Sequence, residues 1–258
     1  MNSSTVRNLL VRGMLAGLAA GVLALIVAHF LGEPGVDRAI ALEESSHAGH
    51  THGAEEAELV SRSLQSTAGL ATGVLVYGVA FGGIAALAYC FALGRVGRIG
   101  PRPTALLLSG CALLAVYVVP FLKYPANPPA VGNPDTIGKR TILYFLMIVL
   151  SVLLAVGATI LGKRLAPRTG TWYATVLAVL AYVVVTGVAF ALLPVVNDVP
   201  DHFPADLLWR FRLSAVAMQV VLWGGFGLLF GELADRLLRP APATSPASTP
   251  GGTVPAGR

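Results

Sequence analysis

The stretch Leu9–Leu31, LLVRGMLAGLAAGVLALIVAHFL, decides the fold because it carries a single charged residue, Arg12. Its uncharged part begins at Gly13 and is about 19 residues long, or about 28 Å as a helix, which matches the roughly 30 Å hydrocarbon core of a bilayer. A cleaved secretory signal fits less well, because its apolar region is usually about 7–15 residues and no small-x-small cleavage site precedes Glu33. The stretch therefore predicts a retained membrane-spanning helix.

The rest of the chain also has the composition of a membrane protein. Of its 258 residues, 55% are hydrophobic and only 12% are charged, whereas soluble domains carry about 25% charged residues. The sequence therefore predicts an all-α polytopic membrane protein with about six transmembrane helices and a short extracytoplasmic amphipathic helix. The five further apolar runs long enough to span a bilayer are Ala68–Leu93, Pro103–Leu122, Thr141–Leu161, Trp172–Leu193 and Phe211–Phe230.

The basic residues predict how these helices are oriented, because short loops rich in Lys and Arg stay in the cytoplasm. Among the 13 acidic residues, only Glu232 and Asp235 fall on the same side as the basic clusters. We therefore expect both termini to be cytoplasmic. Residues 1–239 are predicted to form one transmembrane helical domain, and Pro240–Arg258, which is rich in small residues and proline, a disordered cytoplasmic tail. The basic clusters are Arg7 and Arg12, then Arg95, Arg98 and Arg102, then Lys163, Arg164 and Arg168, and finally Arg236 and Arg239.

Glycines recur at helical spacing in several of the apolar runs, which allows two helix backbones to approach closely. Cys90 and Cys111 lie inside apolar runs with no partner at metal-ligand spacing, so we interpret them as packing residues. The glycines expected at close helix contacts are Gly13, Gly17 and Gly21 in the first run, Gly69, Gly73, Gly78 and Gly82 in the second, and Gly227 and Gly231 in the sixth.

The loops after the third and fifth runs resemble each other. Pro120 and Pro194 begin them, and Arg140 and Arg212 close them at nearly the same offset. A duplicated hairpin of the kind seen in transporters would explain the resemblance, and so would the common use of proline at helix ends. Within the second loop we expect ion pairs that fix the start of the sixth helix, formed by Asp198, Asp201, His202 and Asp206 with Arg210 and Arg212.

The segment Gly32–Glu58, GEPGVDRAIALEESSHAGHTHGAEEAE, holds most of the chemistry that could bind a metal. Pro34 suits the first turn of a helix, so a short helix is predicted from Pro34 to about Ser45. Its spacing places Asp37 and Glu44 on one face, with Glu33 and Glu43 near the rim. These carboxylates would then stand in a fixed geometry beside the membrane.

Three histidines, His47, His50 and His52, follow this helix. Imidazole and carboxylate groups suit Co²⁺, Ni²⁺ and Zn²⁺, and the order of affinities does not choose among them. One interpretation is capture of a divalent cation outside the cell, and the other is a hydrophilic loop that happens to be rich in histidine. His29, near the outer end of the first span, is a candidate second metal station, or a residue that snorkels to the surface.

Several catalytic motifs are absent from the sequence. It has no GxxxxGK[ST] loop for ATP, no HExxH pair and no GxSxG elbow. We therefore expect the chain not to be an enzyme and to carry no cofactor. Any driving force for transport would have to come from a gradient or from a partner.

Four motifs taken together resemble the bacterial CbtA family of cobalt transporter subunits, over most of the chain from Leu9 to Arg239. They are LLVRGMLAGLAAG at 9–21, FLGEPGVDRAIALEE at 30–44, KYPANPPAVGNPDTIGKRT at 123–141 and PVVNDVPDHFPADLLWRFRLSAVAMQ at 194–219. The resemblance implies cobalt uptake linked to cobalamin biosynthesis, in a bacterial inner membrane, with a small histidine-bearing membrane subunit, CbtB, as partner. It also implies five spans, whereas the hydropathy pattern predicts six. The HxxxxDH motif of nickel/cobalt permeases is absent.

The leading hypothesis is therefore a cobalt importer subunit. His47, His50 and His52 with Glu43 and Glu44 would gather Co²⁺. Glu33, Asp37 and His29 would pass it into the helix bundle. The alternative is a non-transporting membrane scaffold or a metal-sensing accessory protein.

Overall fold

The computed structural model describes residues 2–47, 61–97, 99–129, 131–132, 134–200 and 202–239. Within these ranges all the regular secondary structure is helical, which confirms the all-α prediction. The tail Pro240–Arg258 lies outside the described residues, so its predicted disorder stays a prediction. The helices are α1 Ser3–Val27, α2 Glu33–His47, α3 Arg62–Leu64, α4 Leu70–Ala92, α5 Pro101–Ala112, α6 Val119–Lys123, α7 Ile137–Thr169, α8 Thr171–Leu192 and α9 Ala205–Leu238.

Some of these helices join into longer rods through π-helical turns, so that the described residues contain six segments long and apolar enough to cross a membrane. Each overlaps one predicted span, which confirms six spans rather than five. Four of the segments extend past both predicted ends, because helical hydrogen bonding continues into polar residues that hydropathy excludes. The second and fifth end at Ala92 and Leu192, one residue before the predicted ends. The six are Ser3–Ser45, Gln65–Ala92, Pro101–Lys123, Ile137–Thr169, Thr171–Leu192 and Ala205–Leu238.

The main core forms where α1 packs against α4 and α9, and α9 packs against α5. Its centre is aromatic. Phe81 of α4 meets Trp223 and Phe226 of α9 edge to face, with ring centroids 4.5 and 5.1 Å apart. Tyr89 meets Phe230 in the same way at 5.0 Å. Such edge-to-face pairs add to the stabilisation that burial of the rings provides.

Glycines let α1 and α4 touch backbone to backbone, as predicted. A Cβ added at Gly78 would lie 2.6 Å from the carbonyl oxygen of Gly17, and one added at Gly82 would collide with the carbonyl oxygen of Gly13. In a bilayer, where lipid is as apolar as the side chains, this close contact is what holds two helices together. The prediction fails at Gly69, where an added Cβ would meet only the carbonyl oxygen of Leu64 in the same segment, and at Gly73, where it would meet nothing within 4 Å. Gly73 lies on a side of α4 that faces away from α1, since the neighbouring Val74 does contact α1 at Gly21.

The α5–α9 contact also uses small residues. An added Cβ at Gly227 would lie 3.0 Å from the Cβ of Ser109, and one at Gly231 would lie 3.3 Å from the Cβ of Ala105. Ser109 Oγ donates to the carbonyl oxygen of Trp223 at 2.5 Å, which adds a buried hydrogen bond to the packing. The predicted glycine contact of the sixth span is therefore confirmed.

A second, smaller core joins α7 and α8 to α6 and the preceding π-helical turn, Leu113–Val118. Its buried members are Val119, Tyr124, Leu143 and Met147, and Met147 is fully buried. Ser151 of α7 and Tyr182 of α8 share a hydrogen bond of 2.7 Å. Most other large side chains of these two helices are exposed, as expected for helices that face lipid.

At one end of the bundle, charged residues tie the start of α5 to the end of α9. Arg102 contacts Glu232 at 2.5 Å and Asp235 at 3.2 Å. Arg236 and Arg239 contact the same two carboxylates from one helical turn further along. These residues belong to the predicted cytoplasmic clusters, and the structure brings them together at the end opposite α2.

Candidate metal and ligand site at the α2 end

The sequence predicted α2 as a separate short helix in a loop. In the structure it is a continuation of α1. The π-helical turn Ala28–Gly32 joins the two, and the N–H of Glu33 donates to the carbonyl oxygen of Ala28. Pro34 accounts for the local change, because it has no N–H to bond the carbonyl four residues earlier. The 15 residues of α2 therefore extend the central helix by about 22 Å.

One side of α2 packs against the start of α9, and the acidic residues lie elsewhere on the helix. Ala39 is fully buried, and a Cβ added at Gly35 would lie 3.7 Å from the ring of Phe211. Asp37, Glu43 and Glu44 are exposed, and Glu33 is half-buried. The structure thus holds the predicted carboxylates on an accessible helix that is continuous with α1.

The structure tests only part of the predicted metal site. His50 and His52 lie outside the described residues, and for His47 only the backbone helix is described. Among the described side chains there is no group of three or more His, Cys, Asp or Glu residues that could hold a metal ion. The three-histidine cluster stays a prediction.

His29 lies in the π-helical turn and is exposed at the surface of the bundle. Its ring packs edge to face on Phe30 at 5.3 Å, and Phe30 is itself 70% exposed. The structure therefore places His29 at the junction of α1 and α2, on a surface rather than inside the core.

Two cavities open between the loops at this end, and sequence analysis did not predict them. The first, of about 700 Å³, includes Tyr117, Asn127, Arg140, Tyr144 and Arg212 in its lining. The second, of about 730 Å³, lies against α2 and is lined in part by Glu43, Ser45, Arg140 and His202. The wall common to both cavities includes Pro128, Pro129, Val131 and Arg140.

Two reciprocal contacts cross between the loops around these cavities. Arg140, at the start of α7, contacts Asp198 of the second loop, with Nε and Oδ2 3.3 Å apart. Arg212, in the first turns of α9, donates to Asn127 Oδ1 of the first loop at 3.0 Å and to the carbonyl oxygen of Ala126 at 3.2 Å. Each arginine therefore binds the other loop. We name these contacts the loop clasp.

The loop clasp corrects the predicted pairing of Asp198, whereas Asp201, the second aspartate of that prediction, lies outside the described residues. Asp198 was expected to pair with Arg210 or Arg212, but its partners are Arg140 and the hydroxyl of Thr136, which donates to it at 2.5 Å. The local sequence suggests ion pairs between residues close together in the chain, whereas helix packing brings the two loops together and supplies partners from the other loop. Nearby, Tyr124 donates to the carbonyl oxygen of Pro194 at 2.9 Å, and burial raises the pKa of this tyrosine.

The family model described as "Probable cobalt transporter subunit (CbtA)" matches residues 6–235. The chain belongs to the CbtA family. No curated protein and no solved structure matched the chain. The match covers all six membrane-spanning segments except short helix ends. The chain is therefore a multi-pass membrane protein of a cobalt transporter family, with a metal ion as its substrate.

The CbtA match includes both the α2 segment and the two clasped loops. The paired offsets of Pro120 with Pro194 and of Arg140 with Arg212 were the only sequence signal for the loop clasp. They did not reveal which residue each arginine contacts. The reciprocal pattern is what a duplicated hairpin would produce, and duplication stays a hypothesis.

Proposed function

We propose that this CbtA chain is the membrane subunit of a cobalt uptake transporter that supports cobalamin biosynthesis. The observation that supports this most directly is the rigid extension of α1 into α2. It holds Glu33, Asp37, Glu43 and Glu44 at the end of the central helix, where carboxylates attract a divalent cation.

The α2 end would face outside a bacterial inner membrane, with both termini in the cytoplasm. The charge pattern supports this orientation, since the clustered arginines Arg102, Arg236 and Arg239 lie at the opposite end. The tail after Arg239 would then be a disordered cytoplasmic segment. Protease added to inside-out vesicles should remove it, whereas protease added to intact spheroplasts should not.

In this proposal His47, His50 and His52, with Glu43 and Glu44, gather Co²⁺ loosely. Glu33, Asp37 and His29 then receive it at the membrane surface. A loose, multi-residue collector suits a transporter, because a substrate that binds too tightly leaves slowly. Transport would proceed with a small histidine-bearing subunit of the CbtB type as partner.

The test is uptake of ⁵⁷Co²⁺ into proteoliposomes containing the full chain, with and without the partner subunit. We expect uptake, and we expect the variant carrying His47→Ala, His50→Ala and His52→Ala to need more external cobalt for the same rate. Thr175→Ala, at an exposed position on α8, is the control for losses during purification and reconstitution of a variant. If the chain moves no cobalt even with its partner, it is a scaffold or a metal sensor instead.

A further inference from the structure

The cavity of about 700 Å³ at the α2 end has an unusual charge for a cation transporter. Two arginines, Arg140 and Arg212, line it, and among the described residues that line it there is no carboxylate. A bare Co²⁺ ion would be repelled by these guanidinium groups. We name this space the arginine cavity.

The charge of Arg140 is partly balanced, because Asp198 approaches its Nε at 3.3 Å from outside the cavity lining. Arg212 differs. In the described structure its two acceptors, the carbonyl oxygen of Ala126 and the amide oxygen of Asn127, are neutral. A guanidinium has five N–H donors, so Arg212 can give further hydrogen bonds to a ligand in the cavity.

The wall of the arginine cavity also contains a hydroxyl group that makes no hydrogen bond within the described structure. Tyr117 Oη is buried and has no hydrogen-bond partner among the described residues. A buried donor without a partner destabilises the folded state, and a ligand oxygen would satisfy it. The ring of Tyr117 stacks on Phe121 with centroids 5.4 Å apart, which fixes its position.

We propose that the arginine cavity binds a small polycarboxylate. Guanidinium groups match the planar fork of a carboxylate, and the volume lies within the range of about 300–1,000 Å³ that is usual for small-molecule sites. A polycarboxylate can also chelate a divalent cation and mask its charge. The cavity would then accept cobalt as a carboxylate complex. This consequence rests on the proposed uptake function, whereas the binding of a polycarboxylate does not depend on it.

Citrate is a suitable probe, with its uncharged trimethyl ester as a control of similar shape. Titration of the full chain in nanodiscs, without metal, should show saturable citrate binding and no binding of the ester. Arg212→Gln should weaken citrate binding at least about tenfold, because a charge-assisted hydrogen bond is lost. Arg212→Lys keeps the charge but loses the planar fork, so it should recover only part of the affinity. Arg210→Gln, at an exposed position on the same helix, should leave citrate binding unchanged.

Tyr117→Phe removes one hydroxyl and keeps the ring, so it should weaken citrate binding without changing the oligomeric profile. It keeps the test decisive if Arg212→Gln does not fold. The inference is overturned if the wild type shows no saturable citrate binding, if inorganic phosphate binds more tightly than citrate, or if Arg212→Gln and Tyr117→Phe both bind like the wild type.

Uptake assays separate this inference from the proposed function. Addition of citrate at a fixed free Co²⁺ concentration should raise ⁵⁷Co uptake by the wild type and not by Arg212→Gln. If free Co²⁺ is transported but citrate neither binds nor stimulates, the polycarboxylate site is excluded and cobalt uptake stands. If citrate binds but no cobalt is moved, the proposed uptake function fails and the site remains.

Discussion

The molecule contains two groups of packed helices, and the contacts within each group differ in kind. In the first, which we call the glycine-packed unit, α1, α4, α5 and α9 touch through small residues and edge-to-face aromatic pairs. In the second, the hairpin unit, α7 and α8 pack on each other and on the end of the third span, with few buried side chains. The first unit is closely packed along its helices, whereas the second is attached through a small apolar core and through polar contacts at one end.

The position of the arginine cavity follows from this difference. Its lining comes from the third span, from α7 and from α9, so it lies on the seam between the two units. The loop clasp crosses the same seam. Transporters commonly move one helical unit against another around a central site. A seam joined by a small apolar core and a few polar contacts can open at lower cost than one joined by close glycine packing.

The largest effect is expected inside the glycine-packed unit. Gly17→Leu would force α1 away from α4, because an added Cβ already collides with the carbonyl oxygen of Gly78. Overpacking typically costs about 1–3 kcal/mol, and here the clash is with backbone, so we expect more. The measurement is unfolding in mixed micelles. Gly73→Leu is the matched control, since nothing lies within 4 Å of its Cβ position; equal losses in both variants would contradict the assigned contact.

A smaller effect is expected across the seam, from Asp198→Asn. This change removes the carboxylate that contacts Arg140 and accepts from Thr136. Arg140 Nε contacts Asp198 as an ion pair and makes no hydrogen bond in the described structure, and asparagine can still accept from Thr136. The loss is therefore that of the carboxylate charge, and we expect the free energy of unfolding to fall by about 1–2 kcal/mol. The double variant with Arg140→Met should lose less than the sum of the two single variants. Additive losses would mean that the pair is not coupled.

Gly132→Ala should disturb the loop clasp by a comparable or smaller amount. Gly132 has a φ of 138°, which residues with a side chain rarely adopt. Placing alanine in this conformation costs about 1–3 kcal/mol. Its added Cβ would also lie 2.5 Å from Nη2 of Arg140. We expect lower stability and an altered citrate affinity in the same titration. Gly138→Ala, on helix α7 with open space around it, is the control and should be neutral or stabilising.

The smallest effect is expected at the end opposite α2. Arg239→Ala removes the ion pair with Asp235 on the same helix, in which Nη2 and Nε lie 2.7 and 2.9 Å from Oδ2. Exposed pairs of this kind contribute about 0–1 kcal/mol and are screened by salt. Arg102→Ala should cost more, because Arg102 joins α5 to two carboxylates of α9. If the two variants are equally stable in low salt, the contacts between α5 and α9 there contribute little.

Part of the site could be predicted from the sequence because it depends on residues that are close together in the chain. Pro34 and the spacing of Asp37 and Glu44 predicted a helix that the structure contains, although it continues α1 rather than starting anew. The loop clasp could not be predicted. Its partners are 58 or more positions apart in the chain, and an arginine beside several aspartates gives no indication that its acceptor lies in another loop.

The sequence by itself determined the six membrane helices, their family and the glycine face of α1. Hydropathy and glycine spacing are properties of single runs, and each run must satisfy its own backbone hydrogen bonds in lipid. Only the tertiary structure decided that Gly73 lies outside the α1–α4 contact, that His29 faces outward and that Arg140 and Arg212 share a cavity. The physical reason is that side-chain contacts depend on how helices cross and where each one ends, and neither is fixed by the residues of one helix alone.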